Sequence, residues 1–362
     1  MHFIGPVKDF YARFERKISS FFLLFGFIFD AFTLKRVDTI FENIIISIYL
    51  ILIGVFIILI HLKENEVGGE ENPSKAHFWY VNILQFAFGG IFSAYLILYF
   101  RSADIFVAWP FVALLAATFI ANEFLKKHYV RLSFQISLFF LSIYSFAIFV
   151  VPVLLHKIGT LVFLLSGVLS LIAIVLFIIL LFHLIKDKFV KSKKLLVALI
   201  TSIFFLVNFL YFTNLIPPIP LSLKDGGIYH SIEKNAKGNY EVTYEDHGLA
   251  GYFSFYPSFS KQAGAGVYAY SAVFSPENLN ISVLHEWQYY DRAQKKWITE
   301  SVIRLPVVGG RDGGFRTYSV RTNVAFGRWR VNVKTEEGKI IGRLRFNVVQ
   351  VDTEPVLSTM VK

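Results

Sequence analysis

Long apolar runs separated by short charged loops fill residues 18–215, and short runs with a period of two, broken by turn residues, follow over 216–362. A helix needs about 20 mostly apolar residues to cross a hydrocarbon core. The first region predicts seven such helices, at 18–34, 40–62, 77–100, 104–125, 132–155, 158–184 and 195–216. The second, fifth, sixth and seventh are unbroken. The first is short and carries Asp30, the third holds Asn82, Gln85 and Gly89-Gly90, and the fourth holds Trp109-Pro110 and ends near Asn122-Glu123. Gly89, Gly90, Ser93 and Ala94 are small enough for close helix packing. Trp79, Tyr80 and Trp109 fit an interfacial aromatic belt. The runs predict a polytopic α-helical membrane bundle.

The stretch Leu215-Ile216-Pro217-Pro218-Ile219-Pro220 ends the last run. Prolines fix an extended backbone and remove donors, so it predicts a stiff spacer, with a turn at Asp225-Gly226-Gly227. Strands are expected near 239–245, 251–257, 267–274, 280–290, 297–305, 315–322, 328–335 and 339–349. Ile281, Val283, His285, Trp287 and Tyr289 share one face of the fourth, taken as the core face. Trp329, Val331 and Val333 make a similar stripe, Glu336-Glu337-Gly338 a hairpin turn, and Ile340, Leu344 and Phe346 the returning stripe. The expected organisation is a helical domain over 1–216, a proline-rich linker over 217–227 and an all-β sandwich of immunoglobulin or fibronectin type over 228–362.

Composition agrees: the chain is 55% hydrophobic with a mean hydropathy of +0.55, too apolar for an ordinary soluble protein of this size. It carries a net charge of +10, and much of that charge sits in loops between apolar runs. With seven spans, one side receives 14 Lys and Arg and the other only Lys35, Arg36, Arg101 and Lys157. The positive-inside bias then puts the N-terminus in the cytoplasm and the β domain outside it. Topology explains the charge, no nucleic-acid motif is present, and no nucleic-acid partner is expected. The chain has no cysteine, which excludes disulfides, thiol catalysis and cysteine-ligated metal. No small-residue cleavage site follows the first apolar run, so no cleavable signal peptide is expected.

Three stretches, Pro217 to His230, Gly309-Gly310-Arg311-Asp312-Gly313-Gly314-Phe315-Arg316 and Gly327-Arg328-Trp329-Arg330-Val331, resemble the bacterial membrane proteins that end in the domain of unknown function 2914. Asp30 to Asp38 and Gly89 to Phe100 are similar to that family's membrane part. The resemblance implies a bacterial envelope protein in the plasma membrane. It implies no activity.

Candidate chemistry is sparse. Asp30 lies within an apolar run, with Arg36 and Asp38 close behind, and an intramembrane ionisable group is either a locking ion pair or a relay. Glu42 and Glu123 fall nearer the interfaces. His285, Glu286 and Asp291 suggest acid–base work, but the strand period puts His285 and Glu286 on opposite faces, and a core histidine is the expectation. Ser222 and Ser319 lack a nucleophile-elbow context. His230 and His247, with Glu245 and Asp246 beside the second, match no standard metal spacing, which leaves a weak cation site as the lesser alternative to plain loop residues. No metal and no cofactor are expected.

Two surfaces remain. Arg311 and Asp312 stand among four glycines, either a hairpin turn with an internal ion pair or a loop that contacts a polar ligand. If Trp329, Val331, Val333, Leu344 and Phe346 point inward, then Arg328, Arg330, Lys334, Arg343 and Arg345 share the outer face, where an anionic partner relieves like-charge crowding. Glu336 and Glu337 nearby are the alternative source of neutralisation. The expected function is a non-enzymatic envelope protein whose outer domain binds or senses an anionic or polar ligand. Its partners would be the lipid bilayer and an anionic envelope polymer, lipid head groups or another envelope protein. The competing expectation is a membrane enzyme or transporter in which the bundle acts.

Overall fold

A computed structural model describes residues 24–34, 39–66, 75–102, 105–124, 131–236, 238–248, 254–262, 264–277, 279, 281–353 and 355–362. The chain forms two compact units, one helical and one of β-sheets, divided near Ile216 and Pro217.

Among the described residues the helical unit has seven helices: α1 (Leu24–Thr33), α2 (Ile40–Glu66), α3 (Lys75–Ser102), α4 (Ile105–Phe124), α5 (Leu132–Leu155), α6 (Thr160–Leu184) and α7 (Lys186–Phe212). Five of them, all but α1 and α4, are long and apolar enough to cross a membrane. Most of α3 is enclosed by its neighbours, whereas α2, α6 and α7 keep most of their apolar surface on the outside. Leu161, Ile172, Leu176 and Phe205 are among the exposed residues, an arrangement that water would penalise.

Close approaches and paired polar groups hold the bundle. A Cβ on Gly90 would lie 2.5 Å from the Tyr49 ring, so glycine lets α2 and α3 meet there. His61 and Gln135, both buried, are 2.8 Å apart between α2 and α5. Gln85 and Asn122 exchange amide-to-carbonyl bonds of 3.2 and 3.3 Å between α3 and α4. Tyr95 donates to the Ser142 carbonyl at 2.6 Å. An unpaired polar group in a dry interior costs several kcal/mol, so such pairing is what an apolar bundle requires.

The second unit contains β1 (Ser222–Tyr229), β2 (Ser231–Lys234), β3 (Tyr240–Tyr244), β4 (Ser258–Lys261), β5 (Val267–Phe274), β6 (Ile281–Asp291), β7 (Lys296–Val307), β8 (Phe315–Arg321), β9 (Gly327–Thr335), β10 (Ile340–Gln350) and β11 (Ser358–Val361). They form sheets ordered β1-β5-β8, β4-β10-β9-β6-β7 and β11-β3-β2. All pairings are antiparallel except that of β10 with β4.

Trp287, Trp329, Val331 and Phe346 of the five-stranded sheet pack with Val267 and Ala269 of β5. On the other side of the β1-β5-β8 sheet, Tyr229, Tyr270 and Ala272 pack with Ile232 and Val242 of the third sheet. The middle sheet therefore has a core on both faces, which is why β5 is buried almost throughout.

Several expectations change. Asp225-Gly226-Gly227 is not a turn but the middle of β1, inside the stretch expected to be linker. Its glycines serve packing, since a Cβ on Gly226 would lie 2.8 Å from the Leu344 side chain and one on Gly227 2.6 Å from the Tyr229 hydroxyl. The strand expected at 251–257 is not formed over the described residues 254–257, where Pro257 lacks a donor and the pairing strand begins at Ser258. A bulge between Ile340 and Gly342 shifts the phase of β10, so Ile341 rather than Ile340 is buried. The hairpin turn at Glu336-Glu337-Gly338 forms as expected, with Gly338 at φ 82°.

Candidate ligand-binding face

Alternation in β9 and β10 buries Trp329, Val331, Val333, Leu344 and Phe346, so Arg328, Arg330, Lys334, Arg343 and Arg345 occupy the opposite face. The register sets Arg345 directly across from Arg330 and Arg343 across from Asn332. Next door, β6 contributes Glu286 across from Asn332 and Gln288 across from Arg330.

A hydrogen-bond network fixes these side chains. Arg330 Nε donates to Gln288 Oε1 at 2.6 Å, and Arg343 Nε donates to Asn332 Oδ1 at 2.6 Å. Asn332 Nδ2 donates to Glu286 Oε2 at 2.7 Å and to Gln288 Oε1 at 3.1 Å. Gln288 in turn donates to Thr299 Oγ1 at 2.9 Å, and Lys334 pairs with Glu286 at 2.5 Å. A guanidinium held by its Nε presents a planar fork of known orientation, the geometry that recognises carboxylate and phosphate.

The charges press on one another. Burial, then the like charge of Arg343, pushes Arg330 down to about 10, although Tyr256 and Glu286 pull the other way. It stays protonated at neutral pH. Burial raises the Glu286 carboxyl, but hydrogen bonds from Lys334 and Asn332 outweigh this and hold it below its ordinary value.

Aromatic rings lie along the same face. Arg345 stands 4.3 Å over Phe255, Arg328 5.3 Å over Tyr256 and Arg330 4.2 Å over Trp297, all within cation–π range. The rings neighbour one another: Phe255 to Tyr256 at 5.5 Å, Tyr256 to Trp297 at 6.4 Å and near-parallel, Trp297 to Tyr290 at 5.2 Å. Sequence reasoning placed the arginines and missed the rings. Phe255 and Tyr256 sit on an irregular segment, and Trp297 joins them only through the pairing of β6 with β7, which sets it opposite Tyr290.

The other candidates separate from this face. Arg311 and Asp312 are exposed in the β7–β8 connection. A Cβ on Gly309 would sit 1.9 Å from the Pro276 carbonyl oxygen, and Gly310 and Gly314 have φ of 90° and 82°. Gly309 and Gly310 seat the loop against Pro276 and Glu277, where Gly310 N donates to the Ser275 carbonyl at 2.9 Å, and Gly314 packs against Ala272. Glu336 pairs with Arg304 of β7.

His285 is a core histidine, bonded at 2.8 Å to both Ser271 and Ser319, while Trp287 donates to Ser319 at 3.0 Å. Asp291 accepts from the amides of Ala293 and Gln294 in the β6–β7 turn. Ser222 is buried in β1. Glu245 accepts from His230 at 2.9 Å and from the Ser260 amide and hydroxyl at 2.6 and 2.8 Å, and Asp246 accepts from the Gly248 amide. His247 is half-buried in the loop after β3. In the helical unit Asp30 accepts from Ser93 at 2.6 Å, while Arg36 and Asp38 lie outside the described residues.

Comparison with solved structures finds a beta-glucosidase from Listeria innocua in complex with isofagomine, at 7% identity over 35% of this chain and 16% of that one, TM-score 0.19. It also finds the Pseudomonas fluorescens alkylpurine DNA glycosylase AlkC bound to DNA containing an abasic site analog, at 9% identity over 87% of this chain and 99% of that one, TM-score 0.20. Scores that low carry no argument about fold or function. Comparison with curated proteins gives no match. The stretches at 217–230 and in the helical half that suggested a family lie outside the one matched segment. That segment holds the glycine-rich loop and all four arginines of the face: residues 280–348 match the family described as "Protein of unknown function (DUF2914)", so β6 and most of β10, with the strands between them, form a DUF2914 domain.

Proposed function

We propose that the chain is a multi-pass protein of about seven spans in a bacterial plasma membrane, with a cytoplasmic N-terminus and its β unit on the extracytoplasmic side. The β unit, an immunoglobulin- or fibronectin-like sandwich with a third sheet added, then binds or senses an anionic envelope ligand through the arginine face. The observation that carries this reading is the set of Arg328, Arg330, Arg343 and Arg345 on one sheet face, with Gln288 and Asn332 holding two of them in place. The cost of crowding like charges is offset when an anion binds. The bundle is the anchor. Its pairs His61–Gln135, Gln85–Asn122 and Tyr95–Ser142 join helices to one another, which supports this over the competing reading of a transporter or membrane enzyme.

The test is binding of inorganic polyphosphate to the intact protein in mild detergent. Binding is expected at low salt and should fade as ionic strength passes ~0.15 M, where the Debye length is about 8 Å. Replacing Arg328, Arg330, Arg343 and Arg345 with Gln should abolish it without unfolding, since none of the four contributes to the tryptophan core. A folded four-Gln variant that binds polyphosphate as before makes the face an ordinary solvated surface.

A further inference from the structure

Charge alone does not account for the rings. A surface that only attracted anions would need its arginines and nothing over them. Here Phe255, Tyr256, Trp297 and Tyr290 form a row with centroid steps of 5.5, 6.4 and 5.2 Å. The first three each carry one arginine, in the order Arg345, Arg328, Arg330. Phe255 is 55% exposed, so ring surface remains open to a ligand beyond its contact with Arg345. Ring and cation thus recur together, each guanidinium beside an aromatic surface.

A ligand that matches these repeated pairs must itself repeat, offering a flat apolar patch and a negative group in each unit. An acidic polysaccharide does so: the C–H face of each sugar lies on a ring, and its carboxylate or phosphate meets the neighbouring guanidinium. A bilayer surface offers head-group charge but no repeating rings. Single-stranded nucleic acid offers both phosphates and stacking bases. The extracytoplasmic placement proposed above argues against it.

We propose that the arginine–aromatic face of the five-stranded sheet binds an acidic polysaccharide, with Phe255, Tyr256 and Trp297 as sugar platforms and Arg345, Arg328 and Arg330 as the acid-group contacts. This rests on the reading of the face as an anion-binding surface and names its ligand class.

The experiment measures affinity of the intact protein in detergent for polygalacturonate, its methyl-esterified neutral form, polyphosphate, oligothymidylate and phosphatidylglycerol vesicles. Polygalacturonate should bind more tightly than all the others. Phe255→Ala, on an exposed ring outside any strand, should weaken polygalacturonate roughly fivefold or more, as for loss of an interfacial aromatic anchor, and leave polyphosphate unchanged. Arg345→Gln should weaken both. Lys234→Gln, an exposed cation on β2 of the third sheet, should weaken neither. Equal binding of polyphosphate and polygalacturonate, with Phe255→Ala silent, overturns the sugar assignment and leaves the anion surface standing. Tighter binding of oligothymidylate or of the vesicles than of polygalacturonate overturns it in favour of that partner. Binding of no polyanion at all overturns both readings.

Discussion

His285 Nδ1 and Ser319 Oγ lie 2.8 Å apart in the core of the β unit, joining the five-stranded sheet to the β1-β5-β8 sheet. The other ring nitrogen meets Ser271, and Trp287 adds a second bond to Ser319. The four side chains satisfy one another where water does not reach, so they fix how the sheets face each other as well as adding stability.

Burial pushes His285 down to about 4 from an ordinary 6.5. The unfolded chain takes up a proton as pH falls through 6.5, while the folded chain resists until about 4. Stability is therefore full above 6.5 and lost progressively between those values, on the order of 3 kcal/mol in all. The carboxyls of Glu245 and Glu286, held below 4.5, add their own loss only at the acid end of that window. Denaturant unfolding followed by tryptophan fluorescence, from pH 7.5 to 5 (about the span in which histidines titrate), should show the slope. His285→Leu should flatten it and cost about 1–3 kcal/mol at neutral pH, because Ser271 and Ser319 both lose the ring nitrogen they pair with. A slope that survives His285→Leu places the titrating group elsewhere.

The Asp30–Ser93 bond joins α1 to α3 at 2.6 Å. Ser93→Ala should lower thermal stability in detergent by about 1–3 kcal/mol, since it leaves a partly enclosed carboxylate short of a donor. Asp30→Asn keeps an acceptor oxygen for Ser93 and should cost less. Equal stability of Ser93→Ala and the parent protein removes this bond from the account.

Gly309→Ala should destabilise the β unit by at least the ~1–3 kcal/mol of an overpacked core, because its Cβ would meet a backbone oxygen rather than a movable side chain. Gly313→Ala, with nothing within 4 Å of its Cβ, should be nearly neutral. Chemical denaturation of the pair measures the contrast, and similar midpoints would show that the loop does not depend on this close approach.

Legibility in the sequence followed periodicity. β6 to β10 alternate, and their expected bounds fall within about two residues of the observed ones. β2 and β11 are four residues each, too short for a pattern, and β1 contains Lys224-Asp225-Gly226-Gly227, which mimics a turn. Missing β2 and β11 hid the third sheet, and missing β1 hid an edge strand of the middle one. The arginine face was legible because phase alone decides which side chains leave the core. The rings were not, because cross-strand register and an irregular segment bring them there. Asp30 stood out as a charge in an apolar run. Its partner Ser93 looked only like a small packing residue.

The proposed function requires the β unit to present its arginine face outside the cytoplasm. Because the chain lacks cysteine, one introduced thiol is unique. Ser275, just after β5, is buried and bonded to the Leu279 carbonyl, so the exposed Ala293 in the β6–β7 turn is the better reporter. In intact cells Ala293→Cys should react with a membrane-impermeant maleimide, and Ser192→Cys, near the start of α7, should react only after lysis. Labelling of Ser192→Cys in intact cells, with Ala293→Cys protected until lysis, would contradict the account.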